Sequence, residues 1–197
     1  DYIGKDVEIR DLRICFPGRV NVENATAAIT VALYAGVTPE EIRVALPLFK
    51  GVSRRFDVHA KGDRLIYIDD YAHHPREIEA SLSSIREMWP DKRLTVAFQP
   101  HLYSRTNDFY PEFAKSLNLA DQVILLDIYP AREQPIPGVT SGLIADRLTV
   151  PFVRVTKEEF PEYVKENVKE GVFMTVGAGD IDRFIPIFTE MFGGTDC

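Results

Sequence analysis

The stretch LIYIDDYAHHPREIEASL (residues 65–82) begins as an apolar, β-branched run, crosses two acids, a tyrosine and two histidines, and turns at Pro75 into helical spacing. Ile78, Leu82, Ile85 and Trp89 then fall on one helical face, and Pro90 closes it. This is a strand, a polar turn and a helix in succession. His73 and His74, half of the four histidines, sit in the turn.

The same rhythm repeats downstream. LTVAF (94–98), QVILLD (122–127), FVRV (152–155) and VFMTV (172–176) read as strands, with helices expected over 107–118, 141–148, 157–169 and 180–191. Nearly all-apolar strands alternating with helices predict a parallel sheet covered on both faces, an α/β fold of Rossmann-like, doubly wound type. FDVHA and RLIYID, on either side of Lys61-Gly62-Asp63, add an antiparallel hairpin.

Upstream the pattern differs. DYIGKDVEIRDLRICFPG reads as one or two strands, and Val22, Ala25, Ile29, Ala32 and Leu33 follow at helical spacing, closed by Gly36. A second helix starts at Thr38 as N-cap with Pro39 in its first turn. Pro47 and Gly51 mark a boundary over 47–52, giving two regions, 1–50 and 51–197.

Composition narrows the function. A chain of 197 residues, 45% hydrophobic, can bury a sizeable core, and its apolar runs fall far short of a membrane span. No basic start leads into an apolar signal segment, so a cytoplasmic protein is expected. Cys15 and Cys197 read as free thiols rather than a disulfide. A net charge of −7 with dispersed basic residues disfavours a nucleic-acid partner.

In a parallel sheet, the loops that follow strands share one edge, where such folds bind ligands. Those loops here are DDYAHHP, QPHLYSRT, IYPAREQPIPG and GAGD, which bring Asp69, Asp70, His73, His74, His101, Tyr103 and Arg105 to one rim. Asp69, Asp70 and the three histidines suggest a transition-metal site, but their spacing matches no H-E-x-x-H or paired-cysteine pattern, and no metal ligand is assigned. His59 lies in the hairpin strand and reads as structural. GAGD lacks the third glycine of a dinucleotide loop, with Asp182 in its place, and no G-x-S-x-G elbow exists. Arg54-Arg55, at the boundary, suit a phosphate contact.

Five motifs in order, GVSRRFD, YIDDYAHHPREI, AFQPHLYSRT, DIYPAREQPIPG and TVGAGDI, closely resemble the C-terminal domain of the Mur ligases of peptidoglycan synthesis. FPGRVNVENATAAI is similar to the segment that ends the family's central ATPase domain, and FQPHLYSRT favours the alanine-adding branch over the murein-peptide recycling branch. The resemblance implies an ATP-dependent ligase that joins L-alanine to UDP-N-acetylmuramate through an acyl phosphate, with Mg2+ offsetting phosphate charge. Position by position it implies Asn21 and Asn24 at the adenine, Arg55 at the ATP phosphate and Asp70 near the ribose. It also implies Tyr71, His73, His101 and Arg105 around the muramoyl and alanine ends, with His73 and His101 as catalytic groups. Two positions depart from the family: Val20 replaces a histidine before the adenine-contacting asparagine, and Leu102 replaces an arginine.

No G-x-x-x-x-G-K-[ST] loop occurs in these residues. The expectation is therefore a fragment, the tail of a central ATP-binding domain followed by a C-terminal domain, inactive without the N-terminal and central domains. The competing readings are a stand-alone amino-acid or nucleotide-binding module, which predicts useful affinity without a partner domain, and a small metal-dependent hydrolase, which predicts stoichiometric zinc or manganese binding.

Overall fold

The computed structural model describes residues 1–15 and 18–193, so Cys197 and the Phe16-Pro17 part of the FPG segment lie outside the described residues. The chain forms two compact units, Asp1–Ser53 and Arg54–Cys197. The division falls just after the expected 47–52 segment.

In the first unit, β1 (Tyr2–Ile3) and β2 (Glu8–Ile9) pair antiparallel, and α1 (Arg19–Tyr34) and α2 (Pro39–Ala45) follow. Gly36, at φ +88°, supplies the left-handed residue that ends α1. Thr38 and Glu41 form a reciprocal capping box, the Thr38 hydroxyl accepting the Glu41 N–H and the Glu41 carboxylate accepting the Thr38 N–H. The core is small, built on Tyr2, Ile9, Ile29 and Ile42. Of sixteen residues in α1, only Ala25 and Ile29 are buried.

The second unit holds a six-stranded sheet. The hairpin of β3 (Asp57–Lys61) and β4 (Leu65–Asp70) leads into α3 (Pro75–Met88), β5 (Leu94–Phe98), α4 (Tyr103–Leu117) and β6 (Gln122–Leu125). Then come α5 (Gly142–Ala145), β7 (Phe152–Arg154), α6 (Phe160–Asn167), β8 (Gly171–Val176) and α7 (Ile185–Met191). The spatial order is β3-β4-β8-β5-β6-β7, with β3 antiparallel and every other pairing parallel. His59 is skipped in the β3–β4 register, where Val58 pairs with Ile68 and Ala60 with Tyr67, so it occupies a bulge.

Every residue of β4, β5 and β8 is buried, because helices cover both sheet faces. Alternation sorts the side chains: Ile66 and Ile68 join Ile78, Leu82 and Phe113 on one face, while Tyr67 and Phe173 join Phe160 and Phe188 on the other. Three helices begin elsewhere than their apolar spacing predicts. Pro161 and Pro186 occupy the first turns of α6 and α7, where a missing N–H is tolerated. This delays α6 to Phe160 and splits the expected helix over 180–191 into a 3₁₀ turn (Asp180–Phe184) and α7. Conversely, α4 starts at Tyr103, four residues before the expected 107. Its preceding residue, Leu102, provides no side-chain cap.

Candidate functional site

The C-terminal ends of β4, β5, β6 and β8 carry the loops that the sequence singles out, and the structure separates their side chains into two kinds. The first kind is spent on the fold. Asp69 is fully buried, its Oδ1 accepting the Thr175 hydroxyl at 2.6 Å and its Oδ2 accepting Arg54 Nε at 3.0 Å. Burial raises its pKa, opposed by the Thr175 bond and the Arg54 charge. Arg54 also donates to the Gly177 carbonyl at 2.6 Å and lies 3.4 Å from Asp182. Asp70 accepts the Ala72 N–H at 2.9 Å and the Ser81 hydroxyl at 2.7 Å, and burial raises its pKa as well.

His74 belongs to this group too. It caps α3, its Nδ1 accepting the Arg76 N–H at 3.3 Å, and its ring packs 5.1 Å from that of Phe109. Glu77 completes the cap by accepting the N–H groups of His73 and His74 at 3.0 and 3.1 Å. Two neighbouring histidines thus have different tasks.

The second kind keeps functional atoms available. His73 Nδ1 lies 3.0 Å from the Tyr71 carbonyl, which can only accept, so the neutral ring carries its proton there and leaves a lone pair on Nε2. The rings of His73 and His101 are 6.2 Å apart, and Tyr71 is 5.3 Å from His73. Arg54 and Arg55 both reach the Tyr71 ring, at 5.1 and 5.2 Å from its centroid, but only Arg55 is exposed. Arg105, in the first turn of α4, places Nη1 3.5 Å from His101 Nδ1. His101 titrates below the ordinary histidine value because of burial first, then the charges of Arg105 and His73, with Glu133 opposing. Its imidazole is neutral at pH 7.

Several residues that tie the rim together are not singled out by their spacing. Gln99, fully buried, donates to Asp180 at 2.8 Å and accepts the Ile181 N–H at 2.9 Å, joining the second and last loops. Lys157 adds a 2.7 Å bridge to Asp180. The glycines of GAGD serve this junction. A Cβ on Gly177 would lie 2.6 Å from the Gln99 carbonyl, and one on Gly179 would lie 2.3 Å from Gln99 Oε1 and 2.7 Å from Tyr129 Cβ. Glu133, in the loop after β6, accepts the Ser104 N–H at 3.0 Å together with its hydroxyl and so caps α4 from outside the helix. Leu102, at φ +72°, makes the turn that allows this.

In the first unit, Asn21 and Asn24 border a groove of about 690 Å³ whose walls include Ala28, Ile29, Leu46 and Phe49. Among the described residues no group of three His, Cys, Asp or Glu side chains could hold a metal ion, and the oxygens of Asp69 and Asp70 are engaged within the fold. Likewise, no described helix is long and apolar enough to cross a membrane.

Comparison with known proteins gives the family of this fold. Residues 54–179 match the model of the Mur ligase, glutamate ligase domain. UDP-N-acetylmuramate–L-alanine ligase of Phocaeicola vulgatus is 48% identical over 188 residues, covering 94% of this chain and 41% of that protein. The enzyme of the same name from Parabacteroides distasonis is 46% identical over 191 residues, covering 97% and 41%. The crystal structure of the UDP-N-acetylmuramate-alanine ligase of Thermotoga maritima superposes with a TM-score of 0.73 at 32% identity, covering 92% of this chain and 40% of that one. The chain spans about two fifths of the length of the curated relatives it matches. With more than half its residues inside the family's domain model and the same fold in a solved relative, the chain belongs to the Mur ligase family.

Proposed function

We propose that this chain is the amino-acid-binding part of an ATP-dependent ligase that joins L-alanine to UDP-N-acetylmuramate. The observation that carries the reading is the convergence, on one sheet edge, of two imidazoles whose rings are 6.2 Å apart, a half-buried arginine and an exposed arginine in a Mur ligase domain. Relatives 46–48% identical that bear the alanine-ligase name favour this substrate over a recycled murein peptide.

In this reading the γ-phosphoryl group of ATP is transferred to the muramoyl carboxylate, giving an acyl phosphate. Arg105 binds the carboxylate of L-alanine, helped by the N-terminus of α4. The lone pair on His73 Nε2 takes a proton from the alanine ammonium, and His101 and Tyr71 orient the amine. The nitrogen attacks the acyl carbon, the new C–N bond forms, and the C–O bond to phosphate breaks. Arg55 meets the nucleotide phosphates, and Asn21 and Asn24 read the adenine. Asp70 lies near the ribose, where the two bonds it accepts fix the turn that faces the nucleotide. Mg2+ held by the central domain of the intact ligase would offset phosphate charge.

The test is turnover by the ligase that carries this chain, supplied with ATP, UDP-N-acetylmuramate and L-alanine. ADP release should require L-alanine, and Arg105→Ala should raise its KM about ten- to a hundredfold, the loss of one charge-assisted contact. ADP release indifferent to L-alanine would sink the reading.

A further inference from the structure

We propose that Tyr129 is a positioning residue for His101, its ring forming the wall that holds the imidazole over the rim. This rests on the reading in which His101 handles the amine, yet its geometry stands independently. The two rings are 5.8 Å apart and inclined by 20°, a stacked pair. The contact is built into the backbone: Tyr129 N–H donates to the Pro100 carbonyl at 2.8 Å, and Leu102 N–H donates to the Tyr129 carbonyl at 2.9 Å. These two bonds straddle His101 and form a parallel bridge between residues 101 and 129 beyond the ends of β5 and β6. Paired residues of such a bridge present their side chains side by side.

The far surroundings of Tyr129 are equally constrained. A Cβ at position 179 would lie 2.7–2.8 Å from its Cβ and Cγ, so glycine there allows the last loop to close against it. Lys157 Nζ lies 5.5 Å from the ring centroid while bridged to Asp180. Four residues further on, Glu133 caps α4, the helix that carries Arg105. The loop after β6 therefore supports both His101 and Arg105 without supplying a reacting group of its own. The groups facing His101 are His73, Arg105, Glu133 and Tyr129, and of these Tyr129 is the flat partner that shields a ring face without adding charge. Removing it should let water reach the imidazole and raise the His101 titration point toward the ordinary value.

Histidine ring NMR on this chain tests the proposal, with His101 assigned by His101→Gln. In the wild type, nuclear Overhauser contacts should connect the ring protons of His101 and Tyr129. Tyr129→Phe, which keeps the wall, should leave the His101 titration in place. Tyr129→Leu should shift it upward while His59 and His74 stay unchanged. In the ligase that carries this chain, Tyr129→Leu should raise the KM for the amino acid several-fold more than Tyr129→Phe does. Absence of ring contacts in the wild type overturns the proposal even if Tyr129→Leu fails to fold. An unmoved His101 titration in folded Tyr129→Leu overturns it as well. A shifted titration without L-alanine-dependent turnover leaves the positioning role intact and refutes only the ligase reading.

Discussion

The loops after β4 and β5 look alike in sequence, each mixing histidine, tyrosine and charge at the end of an apolar strand, but they spend those residues differently. After β4, Asp69, Asp70 and His74 are consumed by Arg54, Thr175, Ser81, Ala72 and the α3 cap. Only Tyr71 and His73 face outward with functional atoms to offer. After β5 the order is reversed: Gln99 takes the structural duty, and His101 and Arg105 remain half-exposed beside each other. A loop rich in polar residues is therefore not equally a site throughout. The first loop buys rigidity, and the second uses it.

The largest effect that could break this comparison comes from the boundary arginines. Arg54→Ala leaves Asp69 buried without its cation and frees the Gly177 carbonyl, so unfolding free energy should fall by about 3 kcal/mol. Arg55→Ala should cost no more than about 0.5 kcal/mol, since its side chain is exposed. Urea denaturation of the two variants decides the matter, and equal losses would mean that the division between fixed and available arginine is wrong. Next in size, Arg105→Ala should leave the denaturation midpoint nearly unchanged while weakening amino-acid binding by about 2 kcal/mol. A loss of stability as large as that of Arg54→Ala would move Arg105 into the structural group.

Smaller effects sharpen the contrast within the first loop. Ser81→Ala removes one of the two donors to the buried Asp70 carboxylate and should cost about 1.5 kcal/mol. His74→Ala removes the cap on α3 and should cost about 1 kcal/mol, whereas His73→Ala should cost less than half of that and impair catalysis instead. If the two histidines exchange these outcomes in denaturation and turnover measurements, the assignment of cap and base must be reversed.

The fold was legible because its strongest signals are local. The strands β4, β5 and β8 read as apolar runs since both their faces are covered, and α3 has its proline, its cap and its apolar stripe within one continuous segment. The start of α4 escaped because its cap arrives from Glu133, 29 positions beyond Ser104. The division of the rim into fixed and available residues was hidden for the same reason. Asp69 depends on Thr175, 106 positions away, and Gln99 on Asp180 and Ile181, so a motif can gather these residues without revealing which will be occupied. The GAGD glycines show the limit from the other side: their turn was evident, but the backbone and side-chain atoms that demand it belong to the second and third rim loops.

The pH response of His101 provides the smallest test and the one most specific to the second loop. Its folded pKa lies below the unfolded value, first through burial and then through Arg105 and His73. The unfolded chain therefore takes up this proton at a higher pH than the folded chain does, and the folded state is penalised on acidification. The stability contribution is complete above the unfolded histidine value of about 6.5 and is lost as pH falls through the lower folded value. Compared with His101→Gln, the wild type should keep a constant stability difference above that range, lose ground as pH falls through it, and level off below it. Because His101 is partly exposed, the change should be smaller than those from Arg54 or Ser81. A difference that instead grows on acidification would mean that the imidazole is held as a cation, paired with Glu133. Arg105 would then be the sole anchor for the amino-acid carboxylate, and His73 the only imidazole free to accept the amine's proton.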